Sequence, residues 1–137
     1  MNTIKMNQSH AQYLAVTLYQ LCQAPKYLIG EFSRNPLWLL HGYQGIYLIT
    51  DTEGQVIYVG KTDGRDGVAP KEMGVADRMY GHASTDSTVR TRLNVSIEVF
   101  KSYFVRVLRI DQAELRGAVE LYAIAIFRPP GNRFYKK

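Results

Sequence analysis

The sequence predicts an α/β (α+β) fold in which a small, mostly antiparallel, three-stranded sheet is flanked by helices. Two runs rich in β-branched and aromatic residues, 45–50 and 55–61, surround a polar turn at residues 51–54, which is the pattern of a β-hairpin. A third alternating run, at residues 103–110, predicts another strand. Helical periodicity before and after these segments predicts the flanking helices.

Length and composition indicate a soluble globular protein. The 137 residues are enough for one domain with a modest core, and 46% of them are hydrophobic and 21% charged. We expect a cytoplasmic protein, because no apolar run could span a membrane and the first twenty residues lack a signal-peptide pattern. The single cysteine, Cys22, excludes an internal disulfide framework and a cysteine-rich zinc site, and we expect it to be a buried helix residue.

Positive charge is concentrated in the second half of the chain. Residues 78–137 contain 11 Lys and Arg against 5 Asp and Glu, a net charge of +6, whereas residues 1–77 contain 6 against 7, a net charge of −1. A basic half of this kind would attract a polyanion such as nucleic acid. Charge alone does not separate nucleic-acid binding from simple solubility.

The first third of the chain is predicted to be helical and to cover one face of the sheet. Residues 10–23 fit an amphipathic helix, with Ser9 as N-cap, Gln12 completing a capping box, and Pro25 ending the helix. Its apolar face contains Tyr13, Leu14, Thr17, Leu18, Leu21 and Cys22. Residues 27–42 are expected to pack onto the core as a short helix or loop. A dimer interface or a substrate-contacting surface is the alternative for residues 1–43.

The middle of the chain combines a long loop with short helices. Residues 62–74 are glycine-rich and aperiodic, which fits a functional loop beside the hairpin and equally a tolerated surface insertion. Residues 75–83 are predicted to be helical, and Arg78 and His82, four residues apart, would share a face. Asp86 or Ser87 can cap a further short helix that ends at Leu93.

The last predicted helix carries an unusual carboxylate. Asp111 would cap this helix, with Glu114 in a capping box, and residues 128–130 (Arg-Pro-Pro) would end it. Between residues 117 and 127, every residue is apolar or small except Glu120 and Tyr122. Buried carboxylates are rare unless they pair with a cation or a metal ion. A salt bridge to an arginine and a metal site are both compatible with Glu120.

Gly45-Ile46-Tyr47 and Tyr58-Val59-Gly60 resemble the two signature triplets of the GIY-YIG nuclease family. The resemblance extends over residues 44–133, about two-thirds of the chain. Seven residues follow the family order: Tyr47, Tyr58, Lys61, Arg78, His82, Glu120 and Asn132. The long loop and the Arg-x-x-x-His pair look most like the type II restriction-endonuclease branch. The resemblance implies a nuclease domain at residues 44–137 behind a helical extension at residues 1–43.

The family resemblance implies metal-dependent hydrolysis of DNA phosphodiester bonds, and chemistry gives its residues their roles. Glu120 would bind one Mg²⁺ or Mn²⁺ ion, which takes oxygen ligands, and Arg78 would clamp the phosphate. Tyr58 would be the general base, oriented by Tyr47, although a tyrosine pKa near ~10 must first be lowered by nearby positive charge. His82 is the alternative base because imidazole titrates near neutrality.

The remaining assignments concern support, DNA contact and specificity. Asn132 would support catalysis or simply close the turn after the last helix. The candidate DNA-binding residues are Lys61, Arg65, Lys71, Arg78, Arg90 and Arg133. We expect duplex DNA as the partner, with no membrane or zinc finger involved. A homodimer cutting a palindromic site, a low-specificity toxin-like or junction-processing nuclease, and a silent nucleic-acid-binding module remain open.

Overall fold

The computed structural model describes residues 2–31, 44–62 and 88–132, with only the backbone described for residues 2–9 and 88. The described elements are α1 (Asn2–Gln23), β1 (Lys26–Leu28), a 3₁₀ turn (Ile29–Glu31), β2 (Gly45–Thr50), β3 (Val56–Thr62), α2 (Thr88–Leu93), α3 (Ile97–Lys101), β4 (Phe104–Arg109) and α4 (Ala113–Phe127). They form a mixed α+β architecture. None of the helices in these ranges is long and apolar enough to cross a membrane.

The described strands form one antiparallel sheet in the order β1-β4-β2-β3. The predicted hairpin is confirmed as β2 and β3, and the predicted third strand is confirmed as β4. The sheet has a fourth strand, β1, where we expected three strands in all. The expectation of a helix or loop is therefore wrong for Tyr27 and Leu28. A three-residue strand is too short to have a recognisable alternation of its own.

Both faces of the sheet are covered, so each supports its own hydrophobic cluster. The tyrosine face, packed by α2 and α3, contains Ile29, Tyr47, Ile49, Ile57, Val89, Phe100, Val105 and Val107. The α1–α4 face contains Leu18, Leu21, Ile46, Leu48, Val59, Ile110, Val119, Ala123 and Ile124. Alternate residues of a strand point to opposite faces. Strand β2 lies between β3 and β4 and is therefore buried at every position.

Helix α1 is longer than the sequence predicted. It begins at Asn2, so Ser9 lies inside the helix and is not its N-cap. The predicted buried face is confirmed at Thr17, Leu18 and Leu21, whereas Tyr13 is 53% exposed. The helix ends at Gln23, two residues before Pro25, as expected from the missing amide hydrogen of proline.

Helix α4 begins differently from the prediction and ends as predicted. Its N-cap is Gln112, so the predicted Asp111 cap is wrong; Asp111 accepts from Arg109 Nε through Oδ1 at 2.9 Å instead. Arg116 Nη1 donates to the backbone carbonyls of Ile110 and Asp111, both at 2.9 Å. The helix ends where Arg128 adopts a left-handed conformation, just before the two prolines that cannot continue it.

The short helices on the tyrosine face were partly predictable. Helix α2 ends at Leu93 as expected, whereas its predicted caps, Asp86 and Ser87, and the predicted helix at residues 75–83 lie outside the described residues. Helix α3 was not predicted. Its signal is Ser96, whose Oγ accepts from the Val99 amide at 3.1 Å and so caps the helix.

Candidate active site at the edge of the sheet

Tyr47 and Tyr58, the tyrosines of the two glycine-containing triplets, lie on neighbouring strands and on the same face of the sheet. Tyr47 is opposite Gly60 in the β2–β3 register, and Tyr58 is opposite Ile49. Their ring centroids are 6.0 Å apart with an angle of 39° between the ring planes. Tyr47 is only 2% exposed, whereas Tyr58 is half-buried. Of the two phenols, Tyr58 is therefore the more accessible to a bound molecule.

Gly60 gives Tyr47 the space to lie across strand β3. A Cβ atom at this position would be 2.4 Å from both Cζ and the hydroxyl oxygen of Tyr47. Real side chains do not approach so closely, so any larger residue would displace the ring. The ring of Tyr47 in the first triplet thus explains why residue 60 in the second triplet is a glycine.

Asn132 extends the hydrogen-bond pattern of the sheet beyond β3. Its Oδ1 accepts from the Val59 amide at 2.9 Å, and its Nδ2 donates to the Val59 carbonyl at 2.9 Å. The side chain is 6% exposed. Val59 lies between Tyr58 and Gly60, so Asn132 holds the backbone of the second triplet from its outer side. Within the fold, Asn132 is therefore a positioning residue.

The turn after α4 covers the outer edge of β3. The Gly131 amide donates to the Ile57 carbonyl at 2.7 Å, and a Cβ atom at Gly131 would lie 2.5 Å from that oxygen. Arg92, from α2, donates through Nη1 to the Gly131 carbonyl at 2.6 Å. An unpaired strand edge invites pairing with another chain, and this turn prevents it along part of β3.

Glu120 lies on α4, one of the two helices that pack on the α1–α4 face of the sheet. It shares a helix face with Arg116 and Ile124, which are 3% and 4% exposed, and is itself half-buried. Leu115 lines a crevice together with Tyr13 of α1. At about 100° per residue, Glu120 is about 140° around the helix from Leu115, so the two side chains point in different directions. Helix α4 packs against both β3 and β2.

Lys61 lies on the α1–α4 face, opposite Ile46 in the sheet register, and is half-buried. It therefore shares a sheet face with the helix that carries Glu120, whereas Tyr47 and Tyr58 lie on the other face. The described candidate residues thus surround the edge strand β3 from both faces, and Asn132 holds the edge between them.

Glu120 is the described candidate residue with a carboxylate that could bind a metal ion. Among residues 2–31, 44–62 and 88–132, no group of three or more His, Cys, Asp or Glu residues could enclose a metal ion. Zinc sites need three or four protein ligands. Mg²⁺ is often bound by one or two carboxylates, with water and phosphate oxygens completing its shell. Glu120 can offer such a carboxylate.

Tyr103 is a third tyrosine that packs against the tyrosine face. Burial, and secondarily the Asp51 carboxylate, raise the pKa of Tyr103 above its ordinary value. Its phenol is therefore protonated at neutral pH, and it lacks the character of a general base.

The remaining candidate residues divide into those the structure describes and those it does not. Arg65, Lys71, Arg78, His82 and Arg133 lie outside the described residues. Arg90 is half-buried and donates through Nη1 to the Val95 carbonyl at 3.3 Å, so part of its guanidinium serves the fold. Sequence reasoning missed Arg92, because nothing local indicates a carbonyl partner 39 residues away.

No protein-family model matches this chain, and comparison with curated proteins finds no match.

Proposed function

We propose that the protein is a metal-dependent endonuclease of GIY-YIG type that hydrolyses phosphodiester bonds in DNA. The observation that carries the proposal is the support of strand β3 by two side chains. Tyr47 packs onto Gly60, and Asn132 binds the backbone of Val59, which lies between Tyr58 and Gly60. The Tyr-x-Gly sequence is held from two sides, so the accessible Tyr58 projects from a rigid strand. Rigid support of this kind favours a catalytic side chain.

Tyr58 is the proposed general base. A water molecule that attacks phosphorus must lose a proton, and a phenolate is a sufficient acceptor when positive charge stabilises it. Lys61, three residues later on the same strand, lies on the opposite face of the sheet. The proposed source of this positive charge is therefore Arg78, whose role comes from the family resemblance. Tyr47 is too buried to receive substrate directly, so its proposed role is to orient Tyr58 or the water.

Glu120 is the proposed ligand of one Mg²⁺ or Mn²⁺ ion. Such an ion, when bound, stabilises negative charge on the phosphate and supports the leaving 3′-oxygen. Arg78 and His82 carry their roles from the family resemblance: Arg78 offers a planar fork to the phosphate oxygens, and His82 positions Tyr58 or the phosphate. Asn132 maintains the geometry of β3.

Substrate choice and assembly are further parts of the proposal. The concentration of positive charge in residues 78–137 supports a nucleic-acid substrate. Duplex DNA cut at a short palindromic site by a homodimer, in the cytoplasm, is the restriction-type version. A monomer that cuts with little preference is the toxin-like or junction-processing version. Retention of both tyrosines and Glu120 argues against a silent binding module.

The proposal is tested by incubating purified protein with supercoiled plasmid, linear duplex DNA and single-stranded RNA in Mg²⁺. Glu120→Gln should abolish cleavage, as should EDTA. Glu114→Gln is the matched control, because Glu114 is an exposed carboxylate in the first turn of the same helix. Discrete bands support a specific endonuclease, and a metal-dependent smear supports the low-specificity version. Wild-type protein that binds DNA but cuts nothing with Mg²⁺ or Mn²⁺ would overturn the nuclease proposal.

A further inference from the structure

Two cations face each other on edge strand β1 and its neighbour β4, outside the two tyrosine-containing triplets. Lys26 of β1 is directly opposite Arg106 of β4, and both side chains stand on the α1–α4 face. Like charges at directly opposed positions destabilise a sheet. Within the described part of the chain, neither cation forms an ion pair. A sequence that keeps such a repulsive pair breaks a local rule of folding, which is typical of functional sites.

The two cations are held in place by uncharged groups. Arg106 Nη1 donates to the backbone carbonyl of Ala24, which follows α1. Lys26 Nζ lies 4.6 Å from the centroid of the Phe104 ring. A carbonyl and an aromatic ring orient a cation without neutralising its charge. The positive charge of both groups therefore remains available to a ligand.

Lys26 and Arg106 line a cavity of about 270 Å³. Its apolar walls include Leu48, Val56 and Phe127, with the Cys22 thiol beside them. Burial raises the pKa of the Cys22 thiol despite the nearby Arg106 charge, so the thiol stays neutral and does not offset the cations. The cavity thus combines apolar walls with two cations, the composition of a site for a small amphipathic anion.

Asp51 is the carboxylate that lines the same cavity. Its Oδ1 accepts from the backbone amides of Glu53 and Gln55, at 2.9 and 3.0 Å, and so belongs to the hairpin turn. These two bonds hold the carboxylate on the turn, and it pairs with neither Lys26 nor Arg106. The cavity therefore keeps an excess of positive charge.

We propose that this cavity binds a nucleoside 5′-phosphate, either as a free mononucleotide or as the 5′-terminal nucleotide of a strand. A phosphate carries enough charge to neutralise both cations, and the Arg106 guanidinium offers donors in a planar fork that matches its oxygens. The base has an aromatic surface, Phe127, against which it can pack. The described candidate active-site residues, Tyr47, Tyr58, Lys61, Glu120 and Asn132, are not among the residues that line this cavity. The inference does not depend on the proposed nuclease function.

The test measures binding with EDTA present, so that metal-dependent cleavage cannot interfere. Wild-type protein is titrated with inorganic phosphate, uridine 5′-monophosphate, uridine, and an oligonucleotide with or without a 5′-phosphate. The variants are Lys26→Gln and Arg106→Gln. Lys101→Gln is the charge-matched control, because Lys101 is an exposed lysine at the end of α3 on the other sheet face.

Uridine 5′-monophosphate, the 5′-phosphorylated oligonucleotide, or both should bind saturably, and the unphosphorylated ligands should bind much more weakly. Lys26→Gln and Arg106→Gln should each raise Kd about tenfold, the expected loss for one charge-assisted hydrogen bond. Lys26→Gln removes both a repulsive pair and a cation–π contact, whose effects on stability oppose each other, so the thermal stability of the free protein should change little. The ligand that binds identifies the source of the phosphate.

Two results would overturn the inference. One is the absence of saturable binding by any phosphorylated ligand to folded wild-type protein. The other is an equal Kd for Lys26→Gln and Lys101→Gln. The Kd of Lys26→Gln tests the inference even if Arg106→Gln does not fold, because Lys26 makes no hydrogen bond that its replacement would break.

Discussion

The ring of Tyr47 occupies the space in which a side chain at position 60 would have to lie. The two residues are direct partners in the β2–β3 register, and a Cβ atom at Gly60 would be 2.4 Å from the tyrosine hydroxyl oxygen. Tyr47 is 2% exposed, so the ring cannot move out of the way into solvent. The two triplets are therefore coupled sterically, whatever their chemical role.

Gly60→Ala should consequently destabilise the protein by about 1–3 kcal/mol, the usual cost of overpacking a core. Equilibrium unfolding in urea measures the change. Gly117→Ala is the matched control, because a Cβ built at this helical glycine would meet no atom within 4 Å from the rest of the described chain, its own helix backbone apart. That control should stabilise the protein by about 0.5–1 kcal/mol. Equal stabilities of the two variants would contradict the steric coupling.

Asn132→Ala should destabilise the protein by about 1–3 kcal/mol, because it removes both hydrogen bonds to the Val59 backbone. The loss should be local first, so amide hydrogen exchange at Val59 should accelerate more than exchange at Leu48 of the central strand. An unchanged exchange rate at Val59 would show that the outer edge of β3 does not depend on this side chain.

Asn132→Asp should make the free energy of unfolding depend on pH, and the direction follows from the two hydrogen bonds to the Val59 backbone. The new carboxyl can still accept from the Val59 amide, but it must donate to the Val59 carbonyl, which only its protonated form can do. Burial and the facing carbonyl raise its pKa in the folded protein above the unfolded value of about 3.9. The stabilisation is thus complete below the unfolded pKa and disappears as pH rises through the folded pKa. Urea unfolding of Asn132→Asp and Asn132→Ala at pH 4 and pH 8 measures the effect: Asn132→Asp should be the more stable variant at pH 4 and should lose that advantage at pH 8.

The sequence predicted those parts of the fold whose signals are local. The hairpin and β4 followed from alternation, and the end of α4 followed from Arg128-Pro129-Pro130. The N-caps at Ser9 and Asp111 were wrong because a capping residue type also occurs inside or just before helices. Strand β1 is defined by its pairing with β4, a distant segment, and three residues carry no pattern of their own.

The sequence predicted some residues of the candidate site but not the contacts that hold them in place. Glu120 was visible in the sequence because a carboxylate is unusual in an otherwise apolar helix, whereas Tyr47, Tyr58 and Asn132 were identified through the family resemblance. Their structural partners were not visible, since Asn132 and Val59 are 73 residues apart and Arg92 and Gly131 are 39 residues apart. Contacts of this kind depend on how the elements pack, which no local pattern records.

Arg92→Met should destabilise the turn that covers β3. The part-buried guanidinium donates to the Gly131 carbonyl, and a charged donor of this kind contributes about 1.5–3 kcal/mol. Arg109→Met is the control, because its ion pair with Asp111 is exposed, and it should change stability by less than about 1 kcal/mol. Urea unfolding gives the free energy of unfolding of both variants. Equal losses of stability would show that Arg92 does not support the turn that covers β3.

Cys22 should react slowly with iodoacetamide. Burial raises the pKa of its thiol, and Arg106 partly opposes that rise. The thiolate is the reactive form, so the pH midpoint of alkylation should lie above that of an unstructured cysteine peptide measured alongside. Arg106→Gln should shift the midpoint further upward. A midpoint at or below that of the peptide would contradict the burial effect.

Tyr58→Phe should remove cleavage activity while leaving DNA binding unchanged, if Tyr58 is the general base. Loss of a general base lowers the rate by about 10²–10⁴-fold. Tyr103→Phe is the matched control, since it removes another phenol that packs on the same face but whose raised pKa keeps it protonated. The comparison uses single-turnover cleavage and salt-dependent DNA binding, so that chemistry and affinity are measured separately. Tyr58→Phe that cuts at the wild-type rate would transfer the role of base to another group, of which His82 is the sequence-based candidate.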